Sequence, residues 1–394
     1  MSGEGGEGTA APAVPSSRSR AWASTAPGHV DADGVVRAHS GSEPRLEAVP
    51  PSGRVERERR EDELLQHGAT RAHGAGHRAR AEEPDPERTC FERDRDRILH
   101  SAAFRRLAGK TQVFVFPEDH QRTRLTHALE VAQVATSVAR AARLNVSLTE
   151  AIAIGHDCGH GPGGHASEEA FDAFLPGGYD HAVWGADVVL VPLNLCRETL
   201  DGVRNHSWSR PAPSTPEGVV VSWADRIAYC AHDLEDAVRA GIVSTSDLPD
   251  EVVRVAGRTR GEQLGTFIDA LVECTSATGV IGMRGEVASA LAALRTFNYE
   301  RIYSRPEALE QTAAVVRVLR ALVEFFVERP AELPADFQPG TLDVGGVSVA
   351  GVDPVVRAAV AYVGGMTDRY AFRAAARLLG WRSPALPDTG SPLA

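Results

Sequence analysis

The chain has a single lysine, Lys110, among 42 basic residues, and aromatics make up only 6% of it. Arginine-rich coding accounts for the shortage of lysine and leaves the placing of Lys110 as a point of interest. Cysteine is scarce: Cys90, Cys158, Cys196, Cys230 and Cys274 are scattered and odd in number. That excludes a fully paired disulfide framework and fits a reducing compartment. No apolar run is long enough to span a bilayer. The segment Met1-Ser2-Gly3-Glu4-Gly5 lacks the basic and apolar regions of a signal peptide. A cytoplasmic protein with no membrane partner is expected. Positive charge is also short, with 42 basic against 53 acidic residues and a formal net charge of −11. General affinity for nucleic acid is not expected of such a chain, although local basic patches are compatible with it.

What is present reads as helix. The 394 residues, 43% of them hydrophobic, suit one large domain or two smaller ones. Residues 1–85 are rich in Gly, Ala, Pro, Ser, Arg and Glu and lack apolar periodicity, which predicts disorder with a short helix near 54–66. Order is expected over 86–380, starting near Phe91, with 381–394 a flexible tail. Over 125–143, Leu125, Leu129, Ala132, Ala135 and Ala139 recur at three- and four-residue spacing, a stripe small enough for close helix packing. Further helices are expected over 148–158, begun by Ser147 or Thr149 and ended by Gly159, and over 224–239, 287–303, 307–328 and 356–379. Residues 330–354 read as a long loop or small hairpin. Residues 218–222 form an apolar run that could equally begin a helix. The fold class is all-α.

The densest chemistry lies in Gly155-His156-Asp157-Cys158-Gly159-His160-Gly161-Pro162-Gly163-Gly164-His165-Ala166-Ser167-Glu168. Adjacent His156 and Asp157 follow the apolar run Ala151–Ile154, where ionisable groups enter only when something pairs with them. A divalent ion such as Mn, Mg, Fe, Co, Ni or Zn suits imidazole and carboxylate together. Neighbours about 100° apart on a helix can face one ion. His127, alone among apolar residues, and Asp225, opening a later helix, complete a metal set of four carried by separate helices. The plainer reading of each is a satisfied buried polar residue. His160 and His165 exceed what one ion needs, so one or both are free for proton transfer or phosphate contact. Glu168 is within helical reach of His165 and can hold its tautomer, or it can serve with Ser167 as a helix cap. Asp225, Tyr229, His232, Asp233 and Asp236 share one helical face, the lining of a pocket or the polar side of an ordinary amphipathic helix. Arg105, Arg106, Lys110, Arg122 and Arg124 cluster before His127. Beside a metal they favour a phosphorylated substrate; otherwise they are a solvated face.

The order His127, His156-Asp157, Asp225 matches the defining pattern of the HD metal-dependent phosphohydrolases. Phe104-Arg105-Arg106-Leu107, Lys110-Thr111-Gln112-Val113-Phe114, Arg122-Thr123-Arg124-Leu125-Thr126-His127, Asp225-Arg226-Ile227-Ala228-Tyr229 through Asp233, and Gly365-Met366-Thr367-Asp368-Arg369-Tyr370 resemble the bacterial dGTPase family within them. The resemblance runs over about 88–380. It implies an HD helical bundle, with its core near 120–240 and further helices over 250–380. It implies cleavage of a dNTP at the α-phosphorus to deoxynucleoside and tripolyphosphate, and a homo-oligomer, often a hexamer. His127, His156, Asp157 and Asp225 would hold the metal, and His165 backed by Glu168 would be catalytic. Arg124, His160, His181 and Arg226 would meet phosphates, with Lys110 adding charge. Tyr229 and Asp233 would read the deoxyribose, and Arg295 and Tyr303 would contact substrate. Two departures stand out: Gly163 replaces the family's aromatic before Gly164-His165, which is expected to loosen that turn, and Ala182 replaces an asparagine after Asp180-His181. The competing readings are another HD nucleotide phosphohydrolase or phosphodiesterase, and a nucleotide-binding regulator without turnover.

Overall fold

The computed structural model describes residues 16–30, 34–39, 46–115, 119–339 and 351–381. Sixteen α-helices carry the described residues, and the one sheet is a two-stranded antiparallel ribbon, His29–Val30 against Val36–Arg37. The fold is all-α. The chain divides into two units, residues 1–51 and 52–394. The first holds the helix Ser17–Ser24 and the ribbon. Everything below concerns the second.

That boundary corrects the expected start of order near residue 86. Residues 52–85 fold onto the helices that follow, with Arg54–Leu64 helical and Ala69 and Ala72 buried. Charges hold the segment where apolar residues are few. Arg78 pairs with Asp94 at 2.6 Å and donates to the carbonyls of Cys90 and Asn194. Buried Glu217 accepts from the Thr70 amide and hydroxyl and from the Asn145 amide. Bonds to buried ions leave no periodic trace, so composition alone reads such a segment as loose. The tail beyond residue 381 lies outside the described residues.

The core is built on the helix Arg124–Ala141, packed between Val146–Gly155 and Pro216–Arg239. Its buried face is Ala128, Val131, Ala132, Val134, Ala135, Val138 and Ala139. Leu129, expected on that face, is 47% exposed, so the stripe is rotated from the one the spacing suggested. Alanine and valine rather than leucine let the three helices approach closely. Thr123 caps the first helix by accepting from the Thr126 amide. Asn145, not Ser147 or Thr149, caps the second. The run at 218–222 lies inside the third, which Thr215 caps and Pro216 opens, well before residue 224.

A second apolar cluster joins Phe171 and Tyr179 to the helices Pro306–Glu328, Pro354–Gly364 and Asp368–Leu379. The last two were expected as one helix over 356–379. They break at residues 365–367 because Asp368 turns inward, where its buried carboxylate accepts from Thr111 and from the Gly163 amide. The helix Gly285–Asn298 ends in a wide π turn, Tyr299–Tyr303, which sets Tyr303 beside the pocket. Residues 330–339 form two short 3-10 turns, and 340–350 lie outside the described residues. Arg197–Asn205, Asp250–Ala256 and Arg260–Thr278 are further helices that the spacing had not marked out.

Candidate active site

His156 sits at the C-terminal end of the Val146–Gly155 helix, so His156 and Asp157 leave the core together and point across to the neighbouring helices. His127 lies on the first turn of Arg124–Ala141, and Asp225 lies in the middle of Pro216–Arg239. These elements converge. His127 Nε2 is 3.1 Å from Asp225 Oδ1 and 3.9 Å from Asp157 Oδ2. His156 Nε2 is 3.4 Å from Asp157 Oδ1 and 3.7 Å from Asp225 Oδ1. All four residues expected to hold a metal therefore stand in one cluster.

The donor chemistry fits a divalent ion. His156 Nδ1 donates to the Ala153 carbonyl at 2.6 Å, which places the ring proton there. Its Nε2 is then a bare, buried lone pair without a hydrogen-bond partner, facing two carboxylates. Lone pair against carboxylate oxygen is repulsive until a cation joins them, and a backbone carbonyl behind a histidine is how ligand rings are commonly oriented.

The electrostatics agree. Burial pushes the Asp157 carboxyl up, but the Arg124 guanidinium beside it overcomes this and holds it well below the carboxylate range. Arg124 Nη1 reaches Asp157 Oδ2 at 2.7 Å. Burial also opposes ionisation of Asp225, and the bond from His127 reverses that, so this group too stays charged. His160 is driven strongly toward the neutral form by burial and then by Arg124 and His181.

Gly159-His160-Gly161-Pro162-Gly163-Gly164-His165 wraps over the cluster. A side chain at Gly163, whose φ is +73°, would meet Val315 Cγ1 at 2.5 Å. The expectation that glycine loosens this turn is overturned. The Gly163 amide donates to Asp368 Oδ1 at 2.8 Å, Gly164 N donates to the Gly161 carbonyl at 3.2 Å, and Ser167 Oγ accepts from Gly161 N at 2.9 Å. Val315 stands where a side chain at position 163 would begin, so the turn is closed from outside. Ala182 is fully buried. Gly159 is equally constrained, since an added Cβ would collide with the His181 carbonyl oxygen and stand 2.5 Å from Gly185 N. Gly159→Ala is expected to cost about 3 kcal/mol of stability by overpacking against backbone, read as a fall in thermal midpoint; an unchanged midpoint would show that the turn yields freely.

His165 is exposed, with Nδ1 2.9 Å from Glu168 Oε2. The other oxygen of Glu168 receives His181 Nδ1 at 2.6 Å. Burial pushes the Glu168 carboxyl up, and the two histidines pull it far below its ordinary range. Beyond this histidine wall the pocket continues to Tyr229, whose hydroxyl accepts from Arg295 Nε at 3.0 Å, and to Tyr303, whose hydroxyl donates to Asp233 Oδ2 at 2.6 Å. Burial raises Asp233 to about 7 despite that bond.

A cavity of about 510 Å³ is bordered by Arg124, His127, Asp157, His160, His165 and His181 at one end. Arg226, Tyr229, Asp233, Arg295 and Tyr303 border the rest. His156 and Glu168 stand directly behind that wall. Lys110 is the exception. Its ammonium is buried against the carbonyls of His160 and Gly364, and burial lowers it to about 8. It props the turn and does not border the cavity, so the substrate contact expected of it is corrected. Arg122 is likewise knotted to Glu130, Glu235 and Asp236. His232 and Asp236, placed by spacing on the pocket face, are turned to that knot.

The sequence reading missed His206, Trp208, Gln112 and Arg305, which also border the cavity. Arg226 lies 3.3 Å above the Trp208 ring, an aromatic seat for its guanidinium. None of the four stands in a periodic pattern. The one local signal was His206, a lone histidine just past a helix.

The helices and the His-Asp cluster define an HD-domain phosphohydrolase. The HD domain family matches residues 124–230, and the phosphohydrolase-associated domain matches residues 281–377. The chain belongs, more narrowly, to the deoxyguanosinetriphosphate triphosphohydrolase-like family. It is 42% identical over 318 residues to such a protein from Caldanaerobacter subterraneus subsp. tengcongensis, covering 79% of this chain and 91% of that one. A Clostridium perfringens relative of the same description is 38% identical, covering 74% and 87%. One from Jannaschia sp. is 36% identical, covering 77% and 92%. A hypothetical protein from Aquifex aeolicus aligns at 17% identity with a TM-score of 0.38, over 71% of this chain and 70% of that one. Family membership makes the chain a hydrolase of the HD class. No helix among the described residues is long and apolar enough to cross a membrane.

Proposed function

We propose that this protein hydrolyses a deoxynucleoside triphosphate at the α-phosphorus, releasing the deoxynucleoside and inorganic tripolyphosphate. The observation that carries the reading is one 510 Å³ cavity that joins an ion-binding cluster, a histidine and arginine wall, and a tyrosine-lined end. That volume suits a nucleotide. The names of the relatives point to the same substrate class.

His127, His156, Asp157 and Asp225 would hold the divalent ion. When bound it supplies Lewis-acid polarisation of a phosphoryl oxygen. The chain's own groups do the rest. Arg124 and Arg226 take up charge on the triphosphate, each worth roughly 2–4 kcal/mol in the transition state. Water adds at the α-phosphorus as the bond to the 5′-oxygen breaks, and the proton the water sheds replaces the one that His165 gives up. His165, with Nδ1 held by Glu168, presents Nε2 to the cavity and delivers a proton to that leaving oxygen. Tyr229 packs against the deoxyribose where a 2′-hydroxyl would collide, and Asp233 meets the 3′-hydroxyl.

Product analysis tests the reading. Purified protein is incubated with each dNTP and with GTP, in Mn and in Mg, and nucleosides and phosphates are resolved by ion exchange. Deoxynucleoside with tripolyphosphate is the expected result and ranks the bases at once. Orthophosphate or a monophosphate would move the protein to another HD activity, and bound nucleotide without products would make it a regulator. Tyr229→Ala is expected to lower kcat/KM for the preferred dNTP about tenfold and to narrow its margin over the ribonucleotide. An unaltered margin would remove Tyr229 from sugar selection.

A further inference from the structure

Three arginines packed into this core are held by acids: Arg78 by Asp94, Arg124 by Asp157, and Arg122 by Glu130, Glu235 and Asp236. Arg226 is held differently. It forms no ion pair among the described residues, and its Nε is buried without a hydrogen-bond partner. What holds it is the face of Trp208, whose ring centre is 3.3 Å from its Cζ. Trp208 is itself fixed. Its indole N–H donates to the Ser222 carbonyl at 3.0 Å, one helical turn before Arg226, and its ring meets the Trp223 ring edge-on at 4.6 Å. The ring is nonetheless 46% exposed, so filling a core does not account for it. Trp208 and Arg226 border the cavity side by side.

We propose that Trp208 is a positioning residue, which holds the Arg226 guanidinium at the cavity with its N–H donors left open for the anionic tail of the substrate. The proposal rests on the reading that Arg226 takes up charge on a triphosphate. A carboxylate in the place of the ring would hold the cation firmly, but it would occupy the donors and cancel the charge that a phosphate has to meet. A π face attracts the cation from one side and takes none of its N–H groups. The guanidinium is planar, so a flat ring fixes its plane as well as its place, and a two-pronged bond to phosphate depends on that plane. The indole bond to Ser222 ties the ring to the helix that carries Arg226, so ring and cation share one support. A donor held before the substrate arrives costs less ordering on binding.

Inorganic tripolyphosphate carries the charge of the tail and none of the sugar or base. It is titrated calorimetrically into the full chain in the presence of Mn²⁺. Wild type, Trp208→Phe, Trp208→Leu, Arg226→Ala and the double variant Trp208→Leu/Arg226→Ala are compared, with thermal midpoints recorded on the same samples. Trp208→Leu is expected to bind about tenfold more weakly, the worth of a partly desolvated cation–π contact. Trp208→Phe is expected to stay within about threefold of wild type, because a π face remains. The double variant is expected to bind no more weakly than Arg226→Ala, since the ring acts only through the cation. Wild-type affinity in Trp208→Leu, equal losses in Trp208→Phe and Trp208→Leu, or losses that add in the double variant would each overturn the proposal and leave the triphosphate reading standing. Wild-type affinity in Arg226→Ala would remove Arg226 from the phosphate contacts, and Trp208 with it. No binding by the wild type would overturn the triphosphate reading itself, and this proposal with it.

Discussion

Asp157→Ala is expected to bind no ion and to lose at least about 10³-fold in kcat/KM, some 4 kcal/mol of transition-state stabilisation. Asp157 stands at the meeting point of the cluster, near His127, His156, His160 and His181, and no other carboxylate among the described residues approaches all of them. It is also the partner of Arg124, which is 2% exposed. Its removal strands a buried guanidinium, a loss of about 3–5 kcal/mol of stability, so thermal unfolding must accompany the assay. Asp157→Asn separates the two effects. The amide oxygen still accepts from Arg124, so the fold is expected to survive while ion and turnover are lost together. Metal per chain and initial rates, measured on the same preparations, decide the matter. A folded, metal-free and active variant at this position would sink the metal assignment.

The second large effect is expected at His165. Its ring is exposed, and Glu168 is the one carboxylate it touches among the described residues. His165→Ala is therefore expected to keep the ion, the thermal midpoint and nucleotide affinity while kcat falls about 10²–10⁴-fold, the usual contribution of a positioned acid. Glu168→Gln is a milder and more revealing change. It leaves His165 in place, but the neutral amide no longer draws the imidazole proton to Nδ1, and a further fall of about tenfold is expected with KM little altered. Wild-type turnover in His165→Ala would mean that another group delivers the proton. Ion loss in His165→Ala would instead draw this residue into the metal cluster, a result that equilibrium dialysis against Mn would reveal directly.

The reach of the sequence can be judged at particular residues. His156 and Asp157 were legible because two ionisable groups beside Ala151–Ile154 have no reason to enter a core unless they bind something. Arg124, Tyr229 and Asp233 were legible from their offsets to those ligands along helices. The all-α class followed from spacing over 125–143 and 307–328, and the structure differs there mainly in rotation and caps. Lys110 shows the opposite. Its rarity suggested chemistry, yet its reach to two backbone carbonyls makes it a strut. Arg122 was one basic residue among several until three acids closed on it.

What the sequence determined by itself was the four residues of the candidate ion cluster and the helix class, because both depend on short-range order: neighbours on one helix, or identities at fixed offsets. Only the tertiary structure decided what lies between distant segments. Asp368 closes the turn at Gly163 from a helix two hundred residues away, and Val315 packs against the Gly163 backbone where a Cβ would project. His206 comes within 3.2 Å of His181 from a different helix. Residues 52–85, poor in apolar pattern, are held by Arg78 and Glu217. Each of these contacts joins groups whose pairing is set by burial and hydrogen bonding in three dimensions, and no periodicity along the chain records it.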